Sequence, residues 1–273
     1  MPELPEVEVT RLGILALEGH QARGAVLRTP TLRYPLPLEL DAAIAGRKLR
    51  RISRRGKYLL LDFGHGTVLL HLGMSGSLRL VAPGTPAAKH DHVDLVFAGP
   101  GKGQVLRLHD PRRFGALLWL EGEPAAHPLL AVLGIEPLED EFTPRWLFEQ
   151  TRGLSAAIKP VLMDGHRLVG VGNIYASESL FRAGIDPRTA AGRISLKRFE
   201  RLVPAIREVL AAAIAAGGSS LRDFIHSDGG SGYFQLQTCV YGREGEPCRQ
   251  CGSKIRSLRQ GQRATFYCPR CQK

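Results

Sequence analysis

The chain has 273 residues, 44% of them hydrophobic, and a formal net charge of +11. That is enough apolar material for two modest cores, and no stretch reaches the length of a membrane span. The start lacks the basic and apolar regions of a signal peptide and carries Glu3, Glu6 and Glu8 instead, so a soluble, cytoplasmic protein is expected. The positive excess points to a polyanionic partner, nucleic acid first, although any soluble basic protein could carry it unless the charge is clustered.

In chain order, MPELPEVEVT opens the sequence. Pro5 suits the first turn of a helix, and Val7, Leu12, Ile14 and Leu15 offer apolar positions after it. Six short runs follow: YLLLDF (58–63), TVLLHL (67–72), SLRLV (77–81), HVDLVF (92–97), QVLRLH (104–109) and ALLWL (116–120). They are apolar or alternating and broken by Gly, Pro or Asp, which predicts a sandwich or barrel behind the terminal helix. After EGEPAAHP (121–128) the texture changes. TPRWLFEQ, AAIKPVLMDG, NIYASESLFRAG and SLKRFERLVPAIREVLAAAIAAGG read as helices with Ser, Thr or Asn starts and Gly stops. Pro204 falls within the longest and marks either its first turn or a kink. SDGGSGYF (227–234) is a loop by composition, and a cysteine module closes the chain.

That module is the basic part. From Tyr241 onward eight basic residues face two acidic ones, so more than half of the net charge sits in about an eighth of the sequence. Its cysteines pair as CRQC (Cys248, Cys251) and CPRC (Cys268, Cys271), with sixteen residues between the pairs. This is the spacing of a four-cysteine zinc site, and the metal would supply folding energy that a short tail cannot draw from a core. Two disulfides fit poorly with an intracellular chain, and two CxxC pairs at ribbon spacing argue against a redox motif. Cys239 is left over as a free or packing thiol.

Several stretches carry possible chemistry. Removal of Met1 would make Pro2 a free secondary amine, titrating near 8 and partly neutral at pH 7. Such an amine can attack the C1′ of a sugar, and the resulting iminium stays charged without a proton, which favours elimination. The positive end of a helix dipole would add to the neutral fraction, Glu3 lies beside it to move protons, and Glu6 is three residues on along the same face. Lys57 stands before an apolar strand, where a lysine is usually just solvated. HLGMSGS holds His71 and Met74 in a Gly-broken turn; methionine is usually core, but the glycines push this one outward. HDPRRFG sets Arg112 and Arg113 beside Phe114, which suits wedging into a duplex and equally suits an ordinary surface turn. GVGNIYASES is not a full dinucleotide fingerprint; Gly170, Gly172 and Asn173 read better as a helix opening whose amides can hold a phosphate.

PELPEVE, KYLLL, HLGMSGSLR, KHDHVDL, DPRRFG, GVGNIYASESLF, SDG-x-x-GYF, VYGR-x-GEPC-x-x-CG and QRATFYC-x-x-CQK occur in this order from residue 2 to residue 273. Together they resemble bacterial formamidopyrimidine-DNA glycosylase over the whole chain. The resemblance implies an α+β multidomain fold: an N-terminal helix and β-sandwich catalytic domain (1–125), a helix–two-turn–helix domain (135–226), and a lesion-recognition loop with a zinc finger (227–273). It implies excision of oxidised purines, 8-oxoguanine and formamidopyrimidines, from duplex DNA, followed by β,δ-elimination at the abasic site. Pro2 would be the nucleophile, Glu3 a proton donor supported by Glu6, Lys57 the β-elimination proton donor and a phosphate contact, and Arg263 the δ-elimination residue. His71, His90, Asn173 and Tyr241 would bind DNA, while Met74, Arg112 and Phe114 would fill the gap left by a flipped nucleotide. One structural zinc ion, on Cys248, Cys251, Cys268 and Cys271, and a monomeric, nucleoid-associated protein are expected with it.

Two alternatives stand beside this reading. An endonuclease VIII-like enzyme for oxidised pyrimidines would start PEGPE and lack the Met–Arg–Phe pattern. A non-catalytic nucleic-acid-binding protein with a zinc ribbon fits charge and cysteines alone, and only the N-terminal constellation and Lys57 separate it. One departure concerns TRGLSAAIKP, where Leu154 stands in place of a basic DNA contact of some relatives; either Arg152 substitutes or the contact is absent.

Overall fold

The computed structural model describes residues 2–99, 103–219 and 238–273; Met1 and the loop read at 227–234 lie outside them. Helix α1 (Leu4–Ile14) opens the chain, with Pro5 in its first turn as the sequence predicts. Val7 and Ile14 are buried, but Leu12 is 46% exposed, so the expectation of four apolar contacts was too generous. The body is two four-stranded antiparallel sheets. One runs in the order β1 (Ala22–Leu27), β6 (Asp91–Phe97), β7 (Gln104–His109), β5 (Ser77–Val81); the other runs β2 (Arg51–Arg55), β3 (Tyr58–Asp62), β4 (Gly66–His71), β8 (Ala116–Glu121). The short helix α2 (Leu40–Ile44) follows β1 in the chain.

Alternation explains the sandwich. Leu59 and Leu61 of β3, Val68 and Leu70 of β4 and Leu117 of β8 share one core with Leu78, Val93, Leu95, Phe97, Leu106 and Leu108 of the other sheet. Val7 and Ile14 of α1 join the same core, which fixes the helix start against the sheets.

The chain packs as two compact units. The first runs to Ala131, taking in α3 (Pro128–Ala131), and gathers the described residues Ala216–Ser219; the second holds 132–215 and 238–273. The second unit contains α4 (Pro144–Thr151), α5 (Ile158–Leu162), α6 (Asn173–Arg182) and α7 (Leu196–Ala215), then β9 (Arg256–Gln260) and β10 (Arg263–Tyr267). Helix α6 is buried from Ile174 to Phe181, a central element with helices around it. Pro204 sits well inside α7 rather than at its first turn, and its missing N–H leaves one intrahelical bond unmade.

Candidate active site and nucleic-acid interface

The start of α1 is built around Glu6. This wholly buried carboxylate accepts the Glu3 amide on Oε2 (2.8 Å), while its Oε1 accepts the Ser219 amide (2.8 Å) and hydroxyl (2.9 Å). Both oxygens are therefore engaged in holding the chain start, and Glu6 acts on it as a clamp. Pro2 and Glu3 are buried beside it, with Glu3 only 3% exposed. Without Met1 the Pro2 nitrogen would be a secondary amine held next to a carboxylate on a fixed helix start, the arrangement that a nucleophile with a nearby acid requires.

Lys57 sits in the two-residue turn between β2 and β3, where Arg55 pairs with Tyr58. Gly56 takes φ +56° there, the backbone such a hairpin demands at its first turn position. Across β3–β4, Tyr58 pairs with His71 and their rings lie 4.8 Å apart. Burial, then the charges of Lys57 and Arg33, push the His71 imidazole down to about 4. It is neutral at pH 7, and because Nδ1 accepts the Gly73 amide (3.0 Å), Nε2 keeps its hydrogen and can only donate. That is the tautomer a phosphate oxygen needs.

The expected wedge residues share one brace that the sequence reading missed. Asp110 is 0% exposed, and its carboxylate accepts the Ser75 hydroxyl (3.0 Å), the Arg112 amide (3.2 Å) and the Gly115 amide (2.7 Å). Its own amide donates to the His90 carbonyl (3.0 Å), and its carbonyl accepts from His92 Nε2 (2.9 Å). One residue thus ties together the turns that carry Met74, His90, Arg112 and Phe114. Gly73, at φ +65°, packs so close that a Cβ would meet the Phe114 carbonyl carbon at 2.4 Å. Met74 and Phe114 are left 37% and 47% exposed, and the Arg112 guanidinium stacks 4.9 Å from the centre of the Phe114 ring. Exposed apolar side chains on a rigidly braced pair of turns are what insertion into a base stack requires.

In the second unit, Asn173 is the first residue of α6 after the N-cap Gly172, as expected from GVGNIYASES. Its Nδ2 lies 3.5 Å from the Tyr241 hydroxyl. A second missed brace is Glu178, 2% exposed on α6, whose carboxylate accepts the amides of Cys239 (2.8 Å), Val240 (3.0 Å) and Tyr241 (2.8 Å). Arg263 is exposed at the start of β10, across a two-residue turn from Gln260.

The four expected cysteines converge, with all four Sγ atoms within 4.8 Å of one another. Cys248 and Cys271 are 3.9 Å apart and Cys251 and Cys268 3.4 Å apart, far beyond a disulfide bond and close to the roughly 3.8 Å edge of a tetrahedron with 2.3 Å zinc–sulfur bonds. The amides of Gln250 and Cys271 donate to Cys248 and Cys268 sulfurs at 3.4 Å each, stabilising thiolate. The set fits one structural zinc ion. Cys239 forms no disulfide; it is a half-buried thiol packed against the small core that Phe181, Val240 and Ile255 form beside the ligands, and burial raises its pKa.

The Arg152 guanidinium is engaged within the protein: it donates to the carbonyls of Phe148 (2.9 Å), Gly192 (2.6 Å) and Ile194 (2.8 Å) and stacks 3.9 Å from the centre of the Phe148 ring. It closes the C-terminus of α4 onto the following loop.

Among the described residues no helix is long and apolar enough to cross a membrane. Three family models match in succession: the formamidopyrimidine-DNA glycosylase N-terminal domain over residues 1–117, its H2TH domain over 133–225, and a zinc finger found in FPG and IleRS over 245–273. The formamidopyrimidine-DNA glycosylase of Herminiimonas arsenicoxydans is 58% identical over the full length of both chains. Among solved structures, the MutM (FPG) protein of Thermus thermophilus is similar with TM-score 0.87 and 38% identity, covering 99% of this chain and 98% of that one. A variant of Lactococcus lactis FPG in complex with Fapy-dG-containing DNA aligns with TM-score 0.91 and 32% identity over all of both chains.

Proposed function

The chain belongs to the formamidopyrimidine-DNA glycosylase family, and on that footing we propose that it excises 8-oxoguanine and formamidopyrimidines from duplex DNA and then cuts the strand by β,δ-elimination. The observation that carries the proposal is the start of α1, where Pro2 and Glu3 are buried beside the Glu6 clamp.

The lesion nucleotide is turned out of the helix, because the glycosidic bond is otherwise out of reach of Pro2. Met74, Arg112 and Phe114 occupy the gap. The Pro2 nitrogen attacks C1′, the glycosidic bond breaks, and the base departs with its electron pair and takes up a proton. Glu3 supplies the proton that opens the sugar ring and leaves a Pro2 iminium. Loss of the C2′ proton then expels the 3′-phosphate, and a further elimination expels the 5′-phosphate. Lys57 serves the first step and Arg263 the second. His71, with its fixed Nε2–H, His90, Asn173 and Tyr241 hold the backbone. The domain division that suits these roles is residues 1–125 for chemistry, 135–226 for DNA binding, and 227–273 for lesion recognition and the zinc finger. The protein works as a monomer in the cytoplasm, at the nucleoid.

Borohydride trapping tests this directly. A duplex with one 8-oxoguanine opposite cytosine is expected to cross-link to Pro2, located by peptide mass, and Pro2→Gly is expected to lose at least about a thousandfold in trapping while duplex affinity changes less than threefold. Trapping and strand cleavage that survive Pro2→Gly would place the chemistry on another amine and defeat the proposal.

A further inference from the structure

Lys159 of α5 is 1% exposed, and the reaction described above does not use it. Its Nζ lies 2.6 Å from Asn173 Oδ1, 2.7 Å from Thr265 Oγ1 and 3.1 Å from the Ala264 carbonyl oxygen. The Thr265 hydroxyl hydrogen is committed to Gln260 Oε1 (3.0 Å), so toward Lys159 that oxygen accepts. The other two are carbonyl oxygens and can only accept. Three acceptors require three N–H donors, which the ammonium has and the neutral amine lacks. A positive charge is therefore held inside the second unit, at the N-terminal end of α6.

The placement has two consequences. With Oδ1 drawn to the ammonium, the Asn173 amide cannot turn over, and Nδ2 is committed to the opposite side, toward Tyr241. A carboxamide without such a partner can present either end. The same ammonium grips Ala264 and Thr265, the two residues directly after Arg263 in β10. We propose that Lys159 is a positioning residue for DNA backbone binding: it fixes Asn173 as a hydrogen-bond donor. This rests on the reading of Asn173 as a phosphate contact.

The test uses the full-length, zinc-loaded protein and a duplex with one chemically reduced abasic site, so that binding is read without chemistry. Lys159→Met is expected to weaken binding about tenfold, matching Asn173→Ala, and the double variant is expected to be no worse than either single one. Since Lys159 does not itself meet a phosphate, the slope of log affinity against log salt stays at the wild-type value, whereas Arg263→Gln lowers it by about one. Losses that multiply in the double variant, or wild-type binding by Lys159→Met, would overturn the proposal.

Should Lys159→Met not fold, Asn173→Asp keeps the question open to a decision. Facing an ammonium, the new carboxylate is expected to keep the melting temperature within about 2 °C of wild type while DNA binding falls about a hundredfold; a drop of more than about 5 °C would refute the buried charge. Absence of a wild-type borohydride adduct would instead defeat the enzymatic reading, and leaves the coupling between Lys159 and Asn173 to be judged on affinity alone.

Discussion

In the first unit the candidate residues stand on turns and a helix start that rest against a two-sheet hydrophobic core; in the second, Tyr241 and Arg263 stand near a small core of which the zinc cysteines are themselves part. The polar braces are alike in kind, since Glu6, Asp110 and Glu178 are all buried carboxylates that collect backbone amides. What differs is the support beneath them. Apolar burial holds the first set whatever the metal content, whereas the ribbon that carries Arg263 needs an ion to close. Chemistry and grip therefore fail under different treatments.

Zinc removal should separate them most sharply. Chelation is expected to abolish amide protection over 238–273 and to weaken duplex binding at least about a hundredfold, while the β-sandwich amides keep theirs; hydrogen exchange with and without chelator reads both. Equal loss of protection in both units would erase the contrast.

Within the first unit, Asp110→Ala leaves three donors without their acceptor and should cost about 3 kcal/mol in denaturant unfolding. On the wedge role proposed for Met74, Arg112 and Phe114, base excision should suffer at least about tenfold more than cleavage of a ready-made abasic site. A uniform loss would mean that Asp110 serves stability alone.

The smallest effect concerns pH. His71 falls from its ordinary 6.5 to about 4 on folding, so between these values the unfolded chain takes up a proton that the folded chain refuses. Stability is intact above pH 6.5 and declines as pH falls toward 4, by on the order of 2 kcal/mol from this one group. His71→Asn should flatten that part of the urea-midpoint profile, and an unchanged profile would assign the slope to other residues.

Much of the first unit was legible because its strands alternate cleanly: each of the six runs read from sequence is a strand. β1 and β2 were missed, since ARGAVL is broken by a glycine and RISRR is mostly charged. Their pairing partners, far along the chain, decide them. Leu12 shows the opposite error, an apolar residue in helical phase that still faces outward. The residues proposed for chemistry lie in recognisable blocks, and the four cysteines come together as expected. The braces were not legible. Asp110, Glu178 and Lys159 look like surface residues in a sequence, because nothing local reveals the partners that folding brings to them: the Ser75 hydroxyl for Asp110, the amides of 239–241 for Glu178, and Asn173, Ala264 and Thr265 for Lys159. The bonds from Arg152 to the Gly192 and Ile194 carbonyls were likewise not legible.

The bond from Ser219 to Glu6 joins positions 213 residues apart and has an implication for synthesis. At about 5–20 residues per second, some ten seconds or more pass between the emergence of Glu6 and that of its clamp. Over that interval the Glu6 carboxylate at the chain start lacks its Ser219 partner. On the role proposed for Pro2, Met1 has to be stripped to free the proline nitrogen, and this interval precedes the closing of the Glu6 carboxylate. On that proposal, a copy that keeps Met1 would retain its candidate DNA-binding groups and lack its nucleophile.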